Sequence, residues 1–149
     1  MNSEGFTIDY AETADAEVWP VYDRHIARDE LIQKIANRRC YALRENGAVI
    51  GVMRYNLFWD NLPFLTMICL GEAARGKGYG RRAMERWEAD MRALGYPCVM
   101  TSTQADEDAQ HFYRKLGYRD AGCLILDRPP LKQPAELFLI KELEYETPA

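Results

Sequence analysis

Phe64-Leu65-Thr66-Met67-Ile68-Cys69-Leu70 is followed, a few residues on, by Arg75-Gly76-Lys77-Gly78-Tyr79-Gly80. The apolar run belongs to a segment from Leu62 to Leu70 that reads as a strand. Behind the glycines, Tyr79, Ala83, Trp87, Met91 and Leu94 recur at helical spacing, and Gly95 with Pro97 closes the segment as a helix C-terminus does. A helix of about four turns is expected there. The decisive feature is therefore a strand that enters a helix through a glycine-rich turn.

Such a turn favours a particular ligand chemistry. Gly76, Gly78 and Gly80 carry no Cβ, so backbone N–H groups can approach an anion closely. The unpaired N–H groups and partial positive charge of the helix start add to that, and Arg75, Lys77, Arg81 and Arg82 supply full charges. Cations at a helix N-terminus oppose its dipole, a conflict that an anionic ligand resolves better than a plain solvated face does. A nucleotide P-loop needs Gly-Lys followed by Ser or Thr, whereas Lys77 is followed by Gly78. The dinucleotide fingerprint fails as well, because its third glycine comes one residue early.

Working outward, Phe6, Ile8 and Tyr10 alternate with Thr7 and Asp9 as in a half-buried strand. Thr13 to about Asn37 reads as two short helices, with Thr13 as N-cap, Pro20 as the interruption and Leu31, Ile32 and Ile35 as the apolar face. Cys40 to Arg44 and Val49 to Leu57 read as a hairpin across Glu45-Asn46-Gly47-Ala48, where Asn-Gly supplies positive backbone angles. Trp59-Asp60-Asn61 forms the turn before Leu62. Downstream, Cys98 to Thr103 is a strand and Asp106 to Leu116 a helix on Ala109, Phe112, Tyr113 and Leu116, stopped by Gly117. Arg119 to Leu126 and Glu136 to Leu143 complete the chain as strands. The expected fold class is α/β (α+β), three-layered: a mixed, mostly antiparallel sheet of about six to seven strands flanked by about four helices, with one central strand-helix-strand crossover.

Length and composition bound the rest. At 149 residues, with 48% hydrophobic and 28% charged residues, one globular domain spanning residues 1–149 is expected. The net charge of -4 argues against general nucleic-acid affinity. Cys40, Cys69, Cys98 and Cys123 stand apart from one another and from His25 and His111, which argues for buried reduced thiols and against a metal site or a disulfide framework. Met1 to Tyr10 contains no apolar leader segment, and Phe64 to Leu70 is too short to span a bilayer, so a soluble cytoplasmic protein without membrane partners is expected.

Arg75-x-x-Gly78-x-Gly80 matches the signature Arg/Gln-x-x-Gly-x-Gly/Ala, and Ala109-x-x-Phe112-Tyr113-x-x-x-Gly117-Tyr118 matches Ala-x-x-Leu/Phe-Tyr-x-x-x-Gly-Phe/Tyr. On these two segments, and on the order of elements, nearly the whole chain resembles the GNAT superfamily of N-acetyltransferases. The resemblance implies acetyl-CoA as donor and a primary amine of a small molecule or peptide as acceptor, attacking the thioester directly. It implies that the backbone of Ile68, Cys69 and Leu70 holds the pantetheine arm like an added strand. Arg75, Gly76, Lys77, Gly78, Tyr79, Gly80 and Arg81 would hold the pyrophosphate, Asp106 would lie against the pantetheine region, and Tyr113 would act as general acid. A homodimer stays open.

The chain departs from the family pattern in two places. Many relatives carry an acid in the strand before the turn, whereas Phe64 to Leu70 has none; the base is unassigned, with Glu72, Asp60 and His111 as nearby candidates that also suit a surface role. Asp106 stands where the family often has Asn, and N-capping of the helix is the plainer reading of it. Trp19, Tyr22, Tyr55, Phe58, Trp59 and Phe64 suit either core packing or an aromatic acceptor pocket. Cys69 lacks a histidine in an activating motif, so a structural thiol is expected rather than a nucleophile. A non-catalytic acyl-CoA-binding module and a bare interaction scaffold remain as alternatives.

Overall fold

The computed structural model describes residues 5–144; Met1 to Glu4 of the opening segment and 145–149 lie outside the described residues. The elements are β1 (Phe6–Tyr10), α1 (Arg28–Ala36), β2 (Cys40–Glu45), β3 (Ala48–Phe58), β4 (Leu62–Leu70), α2 (Tyr79–Ala93), β5 (Cys98–Gln104), α3 (Ala109–Lys115), β6 (Arg119–Leu124) and β7 (Glu136–Glu142). The strands form a seven-stranded sheet in the order β1-β2-β3-β4-β5-β7-β6. This is the mixed, mostly antiparallel α/β fold expected from the sequence, with three α-helices rather than about four. Contacts group the chain into two compact units, Met1–Asn56 with Thr66–Trp87, and Leu57–Leu65 with Glu88–Ala149.

In the first unit β1 pairs antiparallel with β2, and β2 with β3. Asn46 and Gly47, at φ 51° and 85°, make the two-residue turn of the β2–β3 hairpin, which is why Asn-Gly stands there. One face of these strands carries a core of Cys40, Ala42 and Val52 beneath Trp19, Leu31 and Ile35. Burial of side chains such as Leu31 and Ile35 stabilises by about 1.5–3 kcal/mol each. Gly51 is required by close approach, since a Cβ there would lie 2.6 Å from the Cys69 carbonyl oxygen.

The segment before α1 departs from the two expected helices. It forms 3-10 turns at Thr13–Glu17 and Trp19–Val21, and only Arg28–Ala36 is α-helical. Thr13 is not the cap. Glu12 occupies that position, and its N–H donates to the Asp15 carboxylate at 2.8 Å. Pro20 has no N–H to continue a helical ladder, and the Asp23 carboxylate instead gathers the Trp19 indole and the His25 N–H.

In the second unit β5 runs parallel to β4, with Phe64 opposite Met100 and Leu65 opposite Thr101. β7 pairs antiparallel with both β5 and β6, so the last strand inserts between its predecessors. Gly95 and Gly117, at φ 92° and 97°, end α2 and α3, with Tyr96 N–H donating to Met91 O and Tyr118 N–H to Tyr113 O, both at 3.1 Å. Buried Glu88 of α2 accepts from Tyr118 Oη at 2.9 Å and Lys141 Nζ at 2.7 Å. All six residues of β6 are exposed, including Cys123, which corrects the expectation that every thiol is buried.

Candidate cofactor and catalytic site

β4 ends at Leu70 and a short 3-10 turn, Glu72–Ala74, delivers the chain to Arg75. Gly76 and Gly78 adopt φ 78° and 80°, and a Cβ at either would meet nothing within 4 Å. Both therefore face open space in a conformation that favours glycine. The ladder of the 15-residue α2 includes Arg82 N–H donating to Gly78 O at 3.2 Å, so the N–H groups of Tyr79, Gly80 and Arg81 form the unpaired start of the helix. Arg75, Lys77 and Arg81 are exposed around it. The arrangement is a backbone cradle of positive potential, suited to a phosphate-bearing ligand.

The flanking side chains divide by task. Tyr79 is buried, its ring stacked on Phe6 at 3.9 Å and its hydroxyl donating to Glu45, so only its backbone is offered to a ligand. Burial adds to that bond in raising the Tyr79 phenol, the Glu45 bond being the larger cause. Lys77 reaches the same Glu45 at 3.6 Å, and Arg81 pairs with Glu85 at 2.9 Å. Arg82 lies 4.8 Å over the Phe6 ring, with Nη1 buried and unpartnered. Arg86 donates to Ile8 O at 2.5 Å. Thus Arg82 and Arg86 brace α2 against β1, so Arg82 does not stand free among the cations expected around a ligand. Glu45 was missed altogether, because nothing in the local sequence pairs it with residues 32 and 34 positions away.

Of the residues expected along the pantetheine arm, Leu70 already accepts Arg75 Nε at 3.1 Å through its carbonyl. Cys69 is a half-buried free thiol with its Sγ 3.9 Å from that same oxygen. Ile68 is half-buried on the same strand.

In the second unit, Tyr113 is buried on α3, and Thr101 of β5 is buried with its hydroxyl donating to the Leu65 carbonyl at 3.1 Å. Burial raises the Tyr113 phenol, with Thr101 opposing the rise and Glu107 adding to it. Asp106 does not cap α3. The helix begins at Ala109 with Asp108 in the cap position, because Gln104 N–H to Glu107 Oε1 and Glu107 N–H to Gln104 O hold a turn before it. Asp106 is exposed in that turn. His111, Asp60 and Glu72 are exposed too. Among the aromatic candidates, Trp19 and Tyr55 are buried core, whereas Trp59 is 79% exposed beside Phe58. Among the described residues no His, Cys, Asp and Glu cluster could hold a metal ion, and no helix is long and apolar enough to cross a membrane.

A strand, a glycine-rich turn and a helix within a mostly antiparallel sheet define an α/β fold. Residues 7–118 match the model of the acetyltransferase (GNAT) family, and the chain belongs to that family. Acetyl-CoA is the acetyl donor of such enzymes. No curated protein matches in sequence. Similar solved structures include Ard1 from Thermoplasma volcanium (14% identity, TM-score 0.81, covering 95% of this chain and 99% of that one). The ribosomal-protein-S18-alanine N-acetyltransferase from Escherichia coli has 16% identity and a TM-score of 0.78, over 95% and 96% of the two chains. The yncA protein of Salmonella typhimurium, solved with its cofactor acetyl-CoA, has 18% identity and a TM-score of 0.74, over 98% and 99%. At these identities the likeness is one of fold.

Proposed function

We propose that this chain acts as a single domain that transfers the acetyl group of acetyl-CoA to a primary amine of a small molecule or a peptide, by direct attack of the amine on the thioester. The observation that carries this is the open glycine cradle at the start of α2, where Gly76 and Gly78 point at empty space among exposed cations. Arg75 to Arg81 would grip the pyrophosphate, chiefly through main-chain N–H groups. Ile68, Cys69 and Leu70 would offer backbone groups to the pantetheine arm, and Asp106 is a further contact toward it.

Tyr113 serves as general acid, giving its phenolic proton to the departing sulfur. β4 carries no acid, so the proton lost by the amine passes to water. The likeness in fold to the S18-alanine enzyme, which by name acetylates an alanine, supports inclusion of peptide amines among the acceptors.

Calorimetry with acetyl-CoA and with CoA, followed by thiol-release assays against small amines and N-terminal peptides, tests the proposal. Binding heat together with thiol release on at least one amine is expected. Absence of heat with both ligands overturns the cofactor site; binding without release on every amine points instead to an acyl-CoA-binding module.

A further inference from the structure

Phe6 and Glu45 stand directly opposite each other in the antiparallel pairing of β1 with β2. Side chains at opposite positions of such a pair share one face of the sheet. Tyr79, the first residue of α2, meets both of them. Its ring stacks on Phe6, with centroids 3.9 Å apart and planes 6° from parallel, and its hydroxyl donates to the Glu45 carboxylate. A stacked ring alone can slide over its neighbour; the hydroxyl contact removes that freedom, so a single cross-strand pair fixes where α2 begins.

The same carboxylate oxygen carries a second contact. Lys77 Nζ lies 3.6 Å from Glu45 Oε2 and 5.8 Å from the centre of the Tyr79 ring. Lys77 and Tyr79 flank Gly78, which adopts φ 80° with open space where a Cβ would stand. Both neighbours of that glycine are therefore tied to one oxygen, while the glycine by itself is free to explore conformations closed to other residues. Left untied, such a turn would have to be ordered by its ligand, and ordering subtracts from affinity. By charge alone a carboxylate beside an anion cradle is unfavourable, since it repels the phosphates that the cradle suits. What it holds in place offsets that repulsion.

We propose that Glu45 is the positioning residue of the donor cradle: by accepting from Tyr79 and pairing with Lys77 it sets the glycine turn in its anion-holding shape before the ligand arrives. This rests on the reading of the cradle as the pyrophosphate site given above. Glu45 meets no ligand atom in this scheme and acts through the main chain of Lys77, Gly78 and Tyr79.

Calorimetry with CoA on Glu45→Ala, Glu45→Gln and Tyr79→Phe tests the role, because charge and position predict opposite signs. Removing a repelling charge would tighten binding by Glu45→Ala, whereas loss of the tie should weaken it, by about tenfold. Tyr79→Phe keeps the stack on Phe6 and the charge of Glu45, and should weaken binding to a similar degree. Glu45→Gln keeps an acceptor for the phenol and should restore binding. The double variant, Glu45→Ala with Tyr79→Phe, should bind no more weakly than Glu45→Ala alone, since both changes cut one bond. In turnover, Glu45→Ala should raise KM for acetyl-CoA with kcat at saturating donor unchanged. S-acetylpantetheine, which lacks the diphosphate, should serve parent and Glu45→Ala equally well. In the ligand-free protein the amide NMR signals of Gly76, Gly78 and Gly80 should shift in Glu45→Ala. CoA binding by Glu45→Ala as tight as the parent's or tighter, unmoved glycine signals, or an equal loss on S-acetylpantetheine overturns the role of Glu45. A parent that binds neither CoA nor acetyl-CoA marks a different failure, that of the cradle as donor site, and removes this role with it.

Discussion

Arg54 Nε donates to Asp23 Oδ2 at 2.6 Å, with Arg54 5% exposed and Asp23 2% exposed. The same oxygen accepts Trp19 Nε1 at 3.0 Å, and Oδ1 accepts the His25 N–H at 3.0 Å. Burial by itself would raise the Asp23 carboxyl. The bonds from Arg54, Trp19 and His25 outweigh it and hold the group below the ordinary carboxylate range. Because the folded value is depressed, the stabilisation is complete above the unfolded value of about 3.9 and is lost as pH falls through the folded value. Asp23→Asn should cost about 3 kcal/mol at neutral pH by leaving Arg54 buried and unpaired. Urea unfolding at pH 7 and at pH 3 checks both statements, the gap between variant and parent narrowing in acid.

Gly78→Ala isolates the cradle from the fold. A Cβ there meets open space, so the cost is confined to the backbone conformation at φ 80°, about 1–2 kcal/mol. Affinity for CoA should fall as the turn relaxes away from its anion-holding shape. Calorimetry and thermal unfolding on the same sample separate the two effects.

Tyr113→Phe should reduce turnover by about a hundredfold, the usual weight of a single acid. Binding of CoA, measured by calorimetry, should stay close to that of the parent. A rate equal to the parent's would remove Tyr113 from the chemistry.

The four thiols should differ sharply toward a thiol reagent. Cys123 is exposed on β6 and should react first. Cys40 is buried, and burial pushes its thiol up to about 12, so its thiolate stays scarce near neutrality and labelling should wait for unfolding. Counting modified thiols with time, native and in urea, tests the order.

Local signals carried most of the fold. Asn46-Gly47 fixed its hairpin and Gly95 ended α2, because backbone angles that only certain residues tolerate are written into single positions. The glycine cradle was legible for the same reason. What the sequence hid are long-range pairings: Asp23 with Arg54, Glu45 with Tyr79, and Glu88 with Tyr118 each join residues whose local patterns say nothing of one another. Helix starts were misread at Thr13 and Asp106, where competing side-chain bonds from Asp15 and Glu107 hold turns instead. The insertion of β7 between β5 and β6 depends on which strand edge is free, and periodicity does not encode that.

The helix that presents the cradle leans on the first strand of the chain. Phe6 supports both the Tyr79 ring and the Arg82 guanidinium, and Ile8 receives Arg86 through its main-chain oxygen. In the proposed function, donor affinity is thereby tied to the five-residue strand β1. Engineering that strand, by trimming into Phe6 or fusing a partner closely to it, is expected to loosen the proposed grip on the donor without touching any residue assigned to it.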